Sequence, residues 1–315
     1  MRNLIRASFV RYLKNPLTWI IAGITLIAGF LYGIRSVIEG DDGFPDLILD
    51  DVAFLIPAAL GAIVVVLTVG REFADHTVRN KIITGSTKPQ IYLSEAITAA
   101  AVMSFYALLV TVPLFALAHK GFALLPEGTV PKLFVIFALL FPAAGIITVL
   151  ITCLTAQRTA AVIVSGAVLF GMYLGGYLLH NRIFNSYEKT NITHEPKYIS
   201  DEAGNGEVTD VEKEEPNPQY LPDSTRHLYR TLGSLNPGYT LVEGVMYTQY
   251  QDDRLMRGLT EEAMEEPSWQ RYWKNRERRQ KEDTDFLTIE ILMQCGLIVL
   301  LLGAGACCFR LRDLK

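Results

Sequence analysis

Six long stretches of this chain, 125 residues together, hold a single charged side chain, Glu290. They run over residues 17–34, 52–69, 96–118, 133–154, 160–179 and 286–309. About 20 such residues in a helix cross the ~30 Å of hydrocarbon in a bilayer. In lipid each segment must satisfy its own backbone hydrogen bonds, so each run predicts a helix, and continuous runs exclude the ~10-residue alternation of a membrane barrel. Composition agrees: half the residues are apolar, 20% are charged and the mean hydropathy is +0.25. That excludes a disordered chain and an ordinary soluble enzyme. Pro57, Pro113 and Pro142 fall inside spans, where neighbouring helices tolerate a bend. The basic start and first apolar run superficially resemble a signal peptide. The run is too long for one and no small-residue cleavage site closes it, so an uncleaved span is expected.

Lys and Arg in the short loops set the orientation. Residues 1–16, 70–95, 155–159 and 310–315 carry twelve cations against four acids, whereas 35–51 and 119–132 carry three against seven. The first set is therefore expected in the cytoplasm with both termini, in a multi-pass protein of the cell membrane. Residues 180–285 are then extracytoplasmic; they carry 14 cations against 21 acids, and long segments translocate largely regardless of charge. The net charge of −4 is a sum of opposed halves and points to no nucleic-acid partner. The sequence thus predicts an all-α membrane protein. Its parts are an interfacial helix within 1–16, spans one to five within 17–179, a large outer insertion over 180–285, a sixth span over 286–309 and a tail over 310–315. In the first part Ile5, Phe9, Tyr12 and Leu13 share one helical sector, into whose edge Arg2 and Arg6 intrude. Cations there can snorkel to phosphate headgroups of the inner leaflet. An ordinary positive-inside anchor is the plainer reading of the same residues.

The most informative loop is 70–95, GREFADHTVRNKIITGSTKPQIYLSE. Asp75 can cap a short helix reaching about Thr84, with Val78, Ile82 and Ile83 as its apolar stripe and Arg79, Asn80 and Lys81 around it. Gly85 suits the left-handed residue ending such a helix. Ser86 or Thr87 can cap the next one, with Pro89 tolerated in its first turn, and that helix runs on into the third span. The result is a short transverse helix clamped between two membrane helices; a plain solvated hairpin is the alternative.

This loop resembles the coupling segment of ABC transporter permeases of the second exporter class, the ABC-2 type, as found in bacteria. That family has a Glu-aromatic pair after the second span, then Thr-apolar-basic, then Ser/Thr-basic leading into the third. Here the positions read Glu72-Phe73, Thr77-Val78-Arg79 and Thr87-Lys88, followed by Gln90-Ile91-Tyr92. His76 stands where the family often has Gly, and Glu95 where a basic residue is common. The six-span layout with its outer insertion is similar too. The resemblance implies a permease that takes its energy from a separate ABC ATP-binding subunit, with ATP-Mg held by that partner, and works as a homodimer or heterodimer. It implies ATPase coupling through Glu72, Asp75, Thr77, Val78, Arg79, Lys81, Ile82, Thr87 and Lys88. The chain itself has no Gly-Lys dipeptide and so no Walker A loop. Gly29-x-x-x-Gly33, Gly171-x-x-x-Gly175 and Gly303-Ala-Gly305 could pack a second subunit or neighbouring helices of the same one.

Glu290 lies about 7.5 Å along a helix from Asp285, with Gln294 one turn deeper on the same face. An intramembrane acid marks function by default, although near an interface it can snorkel. Glu290, Gln294, Tyr173 and Tyr177 are candidates for a translocation path, with His180 at its outer end. In the insertion, Gly204-Asn205-Gly206 reads as a hairpin turn and 221–250 as helix broken at Asn236-Pro237-Gly238, with Thr240 and Glu243 as a capping box. Residues 268–281 read as a third helix, whose Trp269, Tyr272, Trp273 and cations suit a headgroup layer or a lid. Cys153, Cys295, Cys307 and Cys308 all lie in spans, so no disulfide frame or metal site is expected. His194-Glu195 lacks the following His of a helical zinc site, and no Gly-x-Ser-x-Gly elbow occurs. No catalytic, cofactor-binding or metal residue is therefore expected; the cargo (peptide, lipid-like molecule, drug or ion) stays open. The alternative is a non-transporting membrane sensor or receptor whose outer segment binds a ligand.

Overall fold

A computed structural model describes residues 1–38, 51–118, 128–183, 188–191, 196–200, 206–210, 213–216, 221–256 and 267–311. The helices before the insertion are α1 (Arg2–Lys14), α2 (Pro16–Ile38), α3 (Val52–Ala74), α4 (Thr77–Ile83), α5 (Lys88–Leu117), α6 (Thr129–Thr155) and α7 (Arg158–Ile183). The insertion holds strands β1 (Glu188–Asn191), β2 (Pro196–Ser200), β3 (Gly206–Asp210) and β4 (Lys213–Pro216), then helices α8 (Asp223–Gly233) and α9 (Pro237–Met256). Helix α10 (Pro267–Leu311) follows. Among the described residues, six helices are long and apolar enough to cross a membrane: α2, α3, α5, α6, α7 and the Asp285–Leu311 part of α10. The chain is an all-α, six-span membrane bundle with a short N-terminal helix and a large non-membrane insertion between the fifth and sixth spans. The insertion's strands form two small antiparallel pairs, β1 with β4 and β2 with β3. In the second, Ser200 faces Gly206 across the expected turn, while Gly204 and Asn205 lie outside the described residues.

In lipid, tails are as apolar as leucine, so helices associate through close packing and not through expulsion of water. Small residues permit it. A Cβ on Gly61 would come within 2.6 Å of the Met103 sulfur, and one on Gly145 within 2.8 Å of Met103 Cγ, so the α5 methionine fills the seam between α3 and α6. Phe54 and Phe137 stack at 4.3 Å between ring centroids and extend that seam. Gly29 and Gly33 lie against Val110 and Leu117 of α5, so the first small-residue face packs within the chain. Gly305 abuts the Tyr92 ring, whereas Gly171, Gly175 and Gly303 face open space. Pro57, Pro113 and Pro142 all sit within continuous helices.

The loop between the second and third spans departs from expectation at its start. Asp75 caps no helix: it ends α3, its N–H bonded to Arg71 O at 2.9 Å, while the His76 N–H bonds Phe73 O at 3.3 Å. The second span's helix simply continues through Arg71, Glu72 and Phe73. The reversal falls on His76, at φ 56° in the left-handed region that glycine enters most easily, and α4 starts only at Thr77. The rest is as read. Gly85 has φ 94°, and Ser86 N–H bonds Lys81 O at 3.0 Å to close the helix end. Thr87 then caps α5 in a capping box with Gln90.

Two expectations in the insertion change. Thr240 and Glu243 form no capping box, because α9 already begins at Pro237, with Asn236 Oδ1 accepting the Gly238 N–H at 3.0 Å. Residues 268–281 form no separate helix. Nothing between them and the sixth span breaks the helical ladder, so they are the opening turns of α10.

Candidate functional site

Two buried polar clusters stand at opposite ends of the bundle. At the α1–α4 end, Glu72 closes α3 and Glu95 lies two turns into α5, each about 3% exposed or less. Glu95 is about 33 Å along α5 from Leu117, at the rim of the hydrocarbon. Two cations reach between these acids. Lys81 of α4 donates to Glu72 Oε1 and Oε2 at 2.8 and 2.7 Å and to Glu95 Oε1 at 3.1 Å. Arg11 of α1 pairs with Glu72 and donates to Glu95 Oε1 at 2.9 Å and to Ser8 Oγ at 2.7 Å. The Ser8 hydroxyl in turn donates to Glu95 Oε1 at 2.6 Å. Two carboxylates and two cations thus neutralise each other where solvent is largely excluded, and four helices meet in one ionic knot. Burial pulls the Lys81 ammonium below its ordinary range against the opposing pull of Glu95. Burial, with Glu95 beside it, pushes the Tyr12 phenol well up.

This geometry divides the coupling residues of the sequence into two faces. Glu72, Val78 and Lys81 turn inward, with Thr77 and Ile82 half-buried beside them. Asp75, Arg79 and Thr87 are exposed, as are Asn80, Ile83 and Thr84, and Lys88 is half-buried at the start of α5. Of the three polar residues around the apolar stripe of α4, Lys81 faces the knot while Arg79 and Asn80 are exposed. Ser8, Arg11 and Glu95 were not among the expected site residues. A signal existed: Glu95 is one of only four acids at this end and opens an apolar run against an excess of cations.

The second cluster lies where α8 and α9 tuck against the spans. Arg230 Nε donates to Glu243 Oε1 at 2.7 Å, and its guanidinium stands 4.1 Å above the Phe286 ring. His180 Nδ1 lies 3.6 Å from Glu243 Oε2. Burial alone would raise the Glu243 carboxyl, but Arg230, His180 and the Tyr239 hydroxyl together hold it below the ordinary value. Gln294 Nε2 donates to Ser234 O at 2.7 Å and Thr240 Oγ1 at 2.8 Å, so the α8–α9 turn is pinned to the sixth span. The backbone approaches are close: a Cβ on Gly238 would meet Met172 O at 2.3 Å, and one on Gly176 would meet Tyr239 N at 2.3 Å.

Glu290 and Gln294 therefore share a buried face, covered by Tyr239 and Thr240 of the turn. Tyr173 leaves that group to donate to Asp51 Oδ2 at 2.9 Å, and Tyr177 stands exposed. An apolar cavity of about 40 Å³ borders Tyr173, Pro237 and Gly238. No group of residues among those described could hold a metal ion.

Fold and clusters define a class: a six-span helical membrane protein with a buried polar cluster at each end. No protein-family model and no curated protein matches the chain.

Proposed function

We propose that the chain is the permease subunit of an ATP-driven exporter of the second ABC class, moved by a separate ATP-binding subunit. The observation that carries this reading is the two-faced seven-residue helix α4. Its inner face is ion-paired to the helices on both sides, and its outer face presents Arg79, Asn80, Ile83 and Thr84.

In this reading the α1–α4 end faces the cytoplasm, in keeping with its twelve cations, and both termini lie there. The ATPase holds ATP-Mg and docks on the outer face of α4. Its movement is passed through Lys81 to Glu72 and Glu95, and so to the second and third spans together. The open faces at Gly171 and Gly175 suit a second permease subunit. Peptide, lipid-like, drug and ion cargo all fit the scheme.

The test is co-purification from the native host with tagged chain, wild type against the double variant Arg79→Glu, Ile83→Glu. The wild type is expected to retain a Walker-motif ATPase, and the variant to lose it at least tenfold with unchanged thermal stability. Recovery of no nucleotide-binding subunit, or equal recovery by both, refutes the proposal.

A further inference from the structure

Helix α1 is turned the opposite way from an ordinary amphipathic helix. The face it buries against α5 is partly polar: Ser8 and Tyr12 are fully buried, and Arg11 reaches the knot from their flank. The exposed face reads Arg2, Arg6, Phe9, Val10 and Leu13, which fall on one stripe at helical spacing with the cations first and the apolar residues last. Lys14 is exposed on its flank, and α1 contains no acidic residue. Just beyond the turn, Trp19 is exposed, with its indole N–H given to Leu13 O at 2.9 Å. A tryptophan held in this way marks the depth of the headgroup layer.

We propose that this stripe is a docking site for anionic phospholipid headgroups, and that it sets the ionic knot through Arg11. Phe9, Val10 and Leu13 enter the acyl boundary while Arg2 and Arg6 meet lipid phosphates, a complementarity that a zwitterionic surface satisfies less well. Arg11, on the far side of the same helix, shares Glu72 and Glu95 with Lys81. A shift of α1 on the leaflet therefore changes how the two acids divide between Arg11 and Lys81, and so how firmly α4 is held. The intrusion of Arg2 and Arg6 into the apolar sector is what such a site requires. This inference stands whether or not the chain is a permease, since its readouts need neither ATPase nor cargo.

The test uses the full chain. In detergent, native mass spectrometry titrates dioleoyl-phosphatidylglycerol against dioleoyl-phosphatidylcholine, with inorganic phosphate as competitor. In nanodiscs of each lipid, hydrogen exchange is followed at the α4 amides. The wild type is expected to prefer the anionic lipid. The exposed pair Arg2→Gln, Arg6→Gln is expected to weaken that binding about 30-fold, two near-surface cations being lost, without affecting the zwitterionic lipid. Phosphate does not compete, and exchange across Thr77–Ile83 is slower in anionic discs for the wild type only. Equal binding of both lipids, binding indifferent to the double variant, or displacement by phosphate overturns the site. Anionic binding with unchanged α4 exchange overturns its link to the knot.

Discussion

Replacing Glu95 by glutamine preserves shape and removes one charge from the knot of Arg11, Lys81 and Glu72. In the native state Glu95 Oε1 receives Ser8 Oγ at 2.6 Å, Arg11 Nη2 at 2.9 Å and Lys81 Nζ at 3.1 Å, on a side chain 2% exposed. The variant leaves two cations over Glu72 alone. Breaking a buried ion pair from one side costs about 3–5 kcal/mol, because the partner charge is stranded away from water. Arg11 retains 33% exposure and can turn partly toward solvent, so about 3 kcal/mol is the expectation. At roughly 2–4 °C per kcal/mol for a chain of this order of size, the apparent Tm should fall by at least about 5 °C. The assay is thermal or denaturant unfolding of the full chain in one fixed detergent, since lipid and micelle both shift the midpoint. Adding Lys81→Met restores neutrality by leaving Arg11 with Glu72, and should recover more than half of the loss. A Glu95→Gln protein melting within about 1 °C of wild type would show that the knot is not a buried electrostatic unit. Strict additivity of the two substitutions would refute the coupling between them.

At the other end of the bundle, Gly238→Ala and Gly176→Ala each force a methyl group against backbone 2.3 Å away, where no flexible side chain can yield. Each should cost about 1–3 kcal/mol or more as overpacking, and proteolysis of 221–256 in the folded protein should quicken; a silent Gly238→Ala would place the turn elsewhere. Glu243 supplies a pH signature. Its folded value lies below the ordinary 4.5, so its contribution is complete above about pH 4.5 and fades as pH falls through the lowered value. Glu243→Gln should therefore be less stable than wild type at neutral pH, with the gap in Tm narrowing in acid; a gap that widens there refutes the assignment.

The six crossings are legible in the sequence because lipid imposes a length and forbids charge, and both survive in composition. The end of α4 is legible for a similarly local reason, since Gly85, Thr87 and Gln90 act over a few residues. Its start is not. The stop of α3 rests on a left-handed His76, a far weaker signal than the glycine it replaces in the resembled family, and Asp75 offers a cap the chain does not use. The ionic knot is illegible in another way. Arg11 and Glu95 stand 84 positions apart, and no periodicity records which acid answers which cation once helices pack. Thr240 and Glu243 show the same limit: their spacing fits a cap, and tertiary partners claim both, Gln294 for one and Arg230 for the other.

Helix α10 runs 45 residues without a break, about 67 Å, while its crossing needs only Asp285–Leu311. About 27 Å of the same rod precedes that crossing. Near its foot Phe309 meets Phe73 and Tyr92 edge-on or tilted, at 6.2 and 6.5 Å, close by the knot, and Tyr92 anchors to Leu301 O at 3.0 Å. A stiff rod has no hinge in which to dissipate a sideways push. A push at the Pro267 end is felt as torque at the aromatic footing near the other end of the same rod.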